Sequence, residues 1–140
     1  MTMGLATELA IEACNLGVRN IVAGLDGKTW YSHGDTLRIN VCNEHPVAWG
    51  MPEEGLAFSW DTAVFEITER FNPDHYEVVA SYPEKDILQS GWLVGEDRIA
   101  GQPAVVRARY GDGDCVLIGF KCQNRGQTHG TYKLLFNCLL

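Results

Sequence analysis

The sequence predicts an α/β domain built on a mixed, largely antiparallel sheet with flanking helices. Three observations carry that expectation. Short alternating or apolar runs bounded by turn residues outnumber helical ones. Two of those runs, Ala104–Tyr110 and Cys115–Phe120, are separated only by Gly111-Asp112-Gly113-Asp114, a connection so tight that the strands must be antiparallel. Helical spacing is confined to the two ends, Thr7–Leu16 and Thr131–Leu140, and a sheet with helices on its faces satisfies both patterns.

Taken in order, Leu5, Leu9, Ala13 and Leu16 recur at helical spacing, and Gly17 supplies a stop for the first helix. Val18–Ala23 is a short extended stretch, and Gly24–Gly34 is turn-rich. Thr36–Val41 alternates, with Leu37, Ile39 and Val41 on one face and Arg38 and Asn40 on the other, which is a half-buried strand. Pro46 and Pro52 keep the intervening segment from being a regular helix. Leu56–Trp60 and Ala63–Ile67 are strand candidates, Glu69–Asp74 a polar loop, Tyr76–Tyr82 and Ile87–Val94 extended, and Gly95–Gln102 a polar excursion. The last helix offers Leu134, Leu135 and Cys138 to the core.

The 140 residues suit one domain, with 46% hydrophobic and 21% charged residues, near the globular norm. A net charge of −7 and a pI near 4.9, with scattered Lys and Arg, argue against nucleic acid and against anionic membrane as partners. No run approaches the ~18 apolar residues of a membrane helix. Cys14, Cys42, Cys115, Cys122 and Cys138 are odd in number and form no C-x-x-C. Reduced thiols and a cytoplasmic location are therefore expected.

Two segments carry a family resemblance. Glu44–Pro52, E-H-P-V-A-W-G-M-P, resembles a turn of ThuA-like domains within the class I glutamine-amidotransferase-like group. Tyr110–Phe120, Y-G-D-G-D-C-V-L-I-G-F, followed by R-G-Q-T-H-G-T-Y-K-L-L-F-N at Arg125–Asn137, is similar to the C-terminal hairpin, strand, loop and helix of the same group. It is most similar to the domain appended to some bacterial zinc carboxypeptidases. The resemblance implies that residues 1–140 form a single, truncated amidotransferase-like, flavodoxin-like domain lacking the N-terminal catalytic half. The peptidase activity is not implied, because no zinc-binding H-x-x-E pattern occurs.

A glutaminase needs a cysteine on a sharp strand-to-helix elbow with backbone N–H groups facing the oxyanion. No G-x-C-x-G or G-x-S-x-G string occurs, so no catalytic residue and no cofactor are assigned. The C-x-x-H spacing of Cys42 and His45 is too thin for a metal site, which needs three or four converging ligands. His45 reads as a turn residue. His129, in a Gly-rich loop after a strand, is the best single candidate for ligand contact, although with Thr128 it could equally brace the loop or cap the last helix. Trp49, in a turn, is the tryptophan most open to solvent. The candidate ligand-binding set is Trp49, Arg125, Gln127 and His129. The expected function is a non-catalytic binding or assembly module, self-associating as a homodimer, with a small molecule or a peptidase as further partners. The alternative is a small hydrolase or transferase using Cys122 and His129.

Overall fold

The computed structural model describes residues 1–139. In chain order the elements are β1 (Thr2–Met3), α1 (Ala6–Ala13), β2 (Val18–Asn20), β3 (Tyr31–Ser32), β4 (Asp35–Val41), β5 (Glu54–Ser59), β6 (Phe65–Ile67), β7 (Tyr76–Ser81), β8 (Leu88–Ser90), β9 (Leu93–Val94), α2 (Glu96–Ile99), β10 (Pro103–Tyr110), β11 (Gly113–Ile118) and α3 (Tyr132–Asn137). The main sheet runs β1-β11-β10-β7-β4-β5, with β8 also on β4. The β1–β11 pair is parallel and its other pairs are antiparallel. Two small ribbons, β2–β6 and β3–β9, stand beside it. This is the mixed, largely antiparallel α/β architecture that the patterning predicts.

Local chemistry explains most of these elements. In β4 the alternation is realised: Leu37, Ile39 and Val41 are buried while Asn40 is exposed. The β10–β11 hairpin pairs Tyr110 with Gly113 across the two-residue loop Gly111-Asp112, and Gly111 takes φ +59°, a conformation glycine adopts without steric cost. Leu134 of α3 is fully buried, with Leu135 and Cys138 packed at the edge of the core. Leu140 of the predicted last helix lies outside the described residues.

Four departures from the sequence pattern have physical causes. First, α1 buries Thr7 and packs Ala10, Ile11 and Cys14 inward, while Leu5 is 51% and Leu9 72% exposed. The Thr7 hydroxyl donates to the Gly4 carbonyl at 2.7 Å, so a polar side chain is satisfied inside the helix's packing face. Second, Asn15, with φ +48°, rather than Gly17, occupies the left-handed position after the helix. Gly17 is small for another reason: a Cβ there would meet Glu69 Cβ at 2.7 Å. Third, Ile87–Val94 is divided between two sheets, β8 pairing with β4 and β9 with β3. The break is Gly91, where a Cβ would stand 2.3 Å from the buried Asp35 carboxylate, which itself accepts the Trp92 N–H at 2.8 Å. Fourth, the polar excursion Gly95–Gln102 contains the helical turn α2, which inserts Ile99 into the core.

Among the described residues, no helix is long and apolar enough to cross a membrane.

Candidate functional site

The sequence-predicted residues fall on the loop after β11 and on the turn before β5. Arg125 (φ +49°) and Gly126 (φ +71°) form a left-handed pair that reverses the chain. The loop is then braced from inside. The Thr128 hydroxyl donates to the Cys122 carbonyl at 2.7 Å and accepts from Asn124 N–H at 3.1 Å. The buried Thr131 hydroxyl lies between the Cys122 and Thr128 carbonyls, at 3.0 and 3.1 Å. Thr128 thus braces the loop and makes no side-chain cap.

His129 opens a 3-10 turn (His129–Thr131) that runs into α3. Its ring is edge-on to Tyr132 at 5.2 Å, and Tyr132 is edge-on to Phe136 at 6.2 Å, a geometry aromatic rings favour. At the far end of α3, Asn137 Nδ2 donates to the Val47 and Trp49 carbonyls at 3.0 and 3.1 Å. Lys133 donates to the Gly50 carbonyl. These bonds clasp the Pro46–Ala48 turn to α3, with Trp49 77% exposed just after the turn and Phe136 57% exposed on the helix. Arg125, Gln127 and His129 are exposed on the loop that enters the helix. Trp49 lies on the turn bonded to the C-terminal end of α3, the other three candidates lie on the loop that enters its N-terminal end, and none of the four lines the clefts described below.

The alternative Cys122–His129 pair is corrected by the same geometry. Cys122 is fully buried, and that burial pushes its thiol up to about 12. His129 points its ring at Tyr132 from an exposed position. A thiolate at neutral pH is what nucleophilic attack requires, and this thiol is held neutral. Burial raises Cys115 and Cys138 as well. His45 is a turn residue: its Nδ1 accepts from Val47 N–H at 3.1 Å, so Nε2 carries the proton and donates to Glu77 Oε2 at 3.1 Å. With both nitrogens used, it is not free to join Cys42 as a ligand.

A second site has no sequence signature. A cleft of about 660 Å³ opens between the start of α1, the end of β2, the Trp30–His33 segment and the Asp61–Thr62 turn. Asn20 organises it. Its Oδ1 accepts from Val22 and Val64 N–H at 3.2 and 3.1 Å, and its Nδ2 donates to Glu8 Oε1 at 2.8 Å. A buried hydroxyl chain runs nearby, with Ser59 Oγ 2.6 Å from both Ser32 Oγ and Thr62 Oγ1. His33 stacks against Trp60 at 3.9 Å. Asp61 is held at φ +56°, close under Gly4, whose own φ is +56° and where a Cβ would come within 2.9 Å of the Asp61 carbonyl. Non-glycine residues held in this region concentrate at functional sites. The cleft draws on residues 5–62, so no local motif could reveal it.

No protein-family model and no curated protein matches the chain. Among solved structures, it is similar to a cytoplasmic protein from Salmonella typhimurium, at 18% identity and a TM-score of 0.48, over 89% of this chain and 42% of that one. It is also similar to a ThuA-like protein from Bacteroides uniformis, at 15% identity and a TM-score of 0.45, over 79% of this chain and 45% of that one. The chain thus spans less than half the length of either.

Proposed function

We propose that this chain is a non-catalytic binding and assembly module on a ThuA-like, amidotransferase-like scaffold of the kind appended to zinc carboxypeptidases, and that it works in the cytoplasm as a homodimer. One observation carries the reading: Trp49 and Phe136 stand exposed on a turn and a helix that the Asn137 and Lys133 bonds hold together. Large aromatics presented together on a rigid surface mark interaction sites, and tryptophan and arginine supply much of the binding energy where partners meet. Trp49, Arg125, Gln127 and His129 are the contact residues of this reading. A two-fold pairing of the surface with its own copy is the commonest closed arrangement. The raised thiols of Cys115, Cys122 and Cys138 support the non-catalytic half of the proposal.

Light scattering at micromolar concentration should return a dimer, and Trp49→Ser combined with Phe136→Ser should return a monomer with an unchanged far-UV spectrum. A monomeric parent protein would overturn self-association. A thiol reagent should modify the exposed Cys42 first and Cys122 only on unfolding. Hyper-reactive labelling of any thiol near neutral pH would overturn the non-catalytic reading.

A further inference from the structure

We propose that Cys14 and Cys115 form a redox-modification site, which a low-molecular-weight disulfide of the glutathione class converts to an intramolecular disulfide fastening the end of α1 to β11. The pair lies on different elements from Trp49 and Phe136, and the inference does not depend on the reading built on them.

Strand register places the two sulfurs over one patch of sheet. Tyr76, Ala108 and Cys115 are paired across β7, β10 and β11, so their side chains form a row on one face. That face belongs to the smaller core cluster: Ala108 is part of it, and Tyr76 and Cys115 pack against it. The chain leaving α1 runs over the same row. Cys14 packs against this cluster and Leu16 is buried in it, while Gly17 N–H donates to the Tyr76 hydroxyl at 2.7 Å. Cys14 N–H is bonded to the Ala10 carbonyl, which fixes the backbone that carries its sulfur. Burial is the main reason the Cys115 thiol lies above its ordinary value, and the Cys14 thiol raises it further through its charge and a hydrogen bond. Two thiols that act on each other in this way are neighbours.

Both thiols are half-buried, so a small reagent can reach them, whereas Cys122 is sealed in the core. One thiol loses its proton and attacks the sulfur–sulfur bond of the reagent. A mixed disulfide forms on the protein and one glutathione thiolate leaves. The second thiol then loses its proton and attacks the protein sulfur of the mixed disulfide. The Cys14–Cys115 bond forms and the second glutathione thiolate leaves. The two leaving thiolates take up the two protons, and the reagent gains the two electrons that the protein loses. Burial keeps Cys115 protonated at neutral pH, so the exchange is slow. That suits a pair responding to a sustained oxidising shift. The bond joins positions far apart in the chain, where a cross-link removes most freedom from the unfolded state.

Incubation of the reduced full chain with oxidised glutathione tests this. Cleavage after lysine and arginine leaves Cys14 in residues 1–19 and Cys115 in residues 110–121, each without another cysteine. The unreduced digest should contain these two peptides joined, and the intact single chain should be two hydrogens lighter. The oxidised protein should unfold about 5 °C higher or more, and dithiothreitol should restore the starting midpoint. Cys14→Ser should abolish the joined peptide, and Cys42→Ser should leave it unchanged. Separate glutathione adducts on Cys14 and Cys115, another cysteine pair joined in their place, joining only in urea, or no reaction at either thiol would each overturn the proposal. A joined peptide with an unchanged unfolding midpoint would overturn the fastening of α1. The digest is made on the unaltered protein, so the test survives a variant that does not fold.

Discussion

The two faces of the main sheet are covered unequally. On one, Ile99 of α2, Leu134 of α3 and Val47 and Ala48 of the turn meet Leu37, Ile39, Val79, Val105 and Ile118 in the larger core cluster. On the other, α1 and the β2–β6 ribbon cover only the β10–β11 side, through Leu16, Val18, Phe65, Val106, Ala108 and Leu117. Across β4 and β5 that second face is wet. Arg38, Asn40 and Glu54 line an open groove of about 680 Å³ there with Lys85 and Asp86. The difference is visible in residue patterning. A strand wet on one side alternates, as β4 does. A strand covered on both sides runs apolar, as β10 does at Ala104, Val105 and Val106. Register irregularities where β10 pairs with β7 accompany that run, with Val105 in one cluster and Val106 in the other.

The largest expected effect lies at the seam between the two clusters. Gly119 N–H donates to the Ala104 carbonyl at 2.9 Å, and its own carbonyl accepts from Ala63 N–H at 2.8 Å. A Cβ at Gly119 would stand 2.0 Å from the Ala63 carbonyl oxygen. Gly119→Ala should cost more than about 4 kcal/mol in urea denaturation, because backbone on both sides must move. A loss under about 1 kcal/mol would show that the ribbon can shift away freely.

Next comes a direct contest between the faces. Leu134→Ala in the larger cluster should cost about 3–4 kcal/mol, and Leu16→Ala at the rim of the smaller one about 2 kcal/mol, since a site that can collapse leaves less cavity. Equal losses by denaturant titration would break the comparison.

The smallest effect is electrostatic and belongs to the exposed start of β7. Hydrogen bonding from His45, and then the charge of Arg107, hold the Glu77 carboxyl below its ordinary 4.5. A lowered folded value means the stabilisation is present above about 4.5 and fades as pH falls through the lowered value. Glu77→Gln should therefore flatten the acid limb of stability between about pH 5 and pH 3 and change little at pH 7. An unchanged acid limb would remove Glu77 from the account.

Much of the fold was legible because its signals are local. The tight loop at Gly111-Asp112 forces antiparallel pairing wherever it occurs, and alternation in Thr36–Val41 reports one wet side whatever covers the other. The mistaken inward face of α1 marks the limit of such reasoning. Leu5 and Leu9 have the spacing of a buried stripe, but the face that packs carries Ala10 and Ile11 against the cluster of Phe65, Val106 and Leu117, with Thr7 satisfied on the Gly4 carbonyl. Likewise, Ile87–Val94 reads as one extended run, and only the buried Asp35 beside Gly91 divides it between two sheets.

The candidate sites divide in the same way. Trp49 and the Arg125–His129 loop were visible in the chain because turns and glycines expose what they carry. That the Trp49 turn is fastened to the helix following that loop depends on Asn137 and Lys133 reaching back to the Val47, Trp49 and Gly50 carbonyls. The cleft of Glu8, Trp30 and Asp61 has no linear trace, since strand pairing and helix docking assemble it from separate segments. Sequence by itself determined the longer strands, the hairpin and the acidic balance, because backbone sterics and side-chain polarity act within a few residues. Tertiary structure alone decided which helix face turned inward, which thiol was silenced by burial and which segments came to line the cleft, because those depend on neighbours distant along the chain.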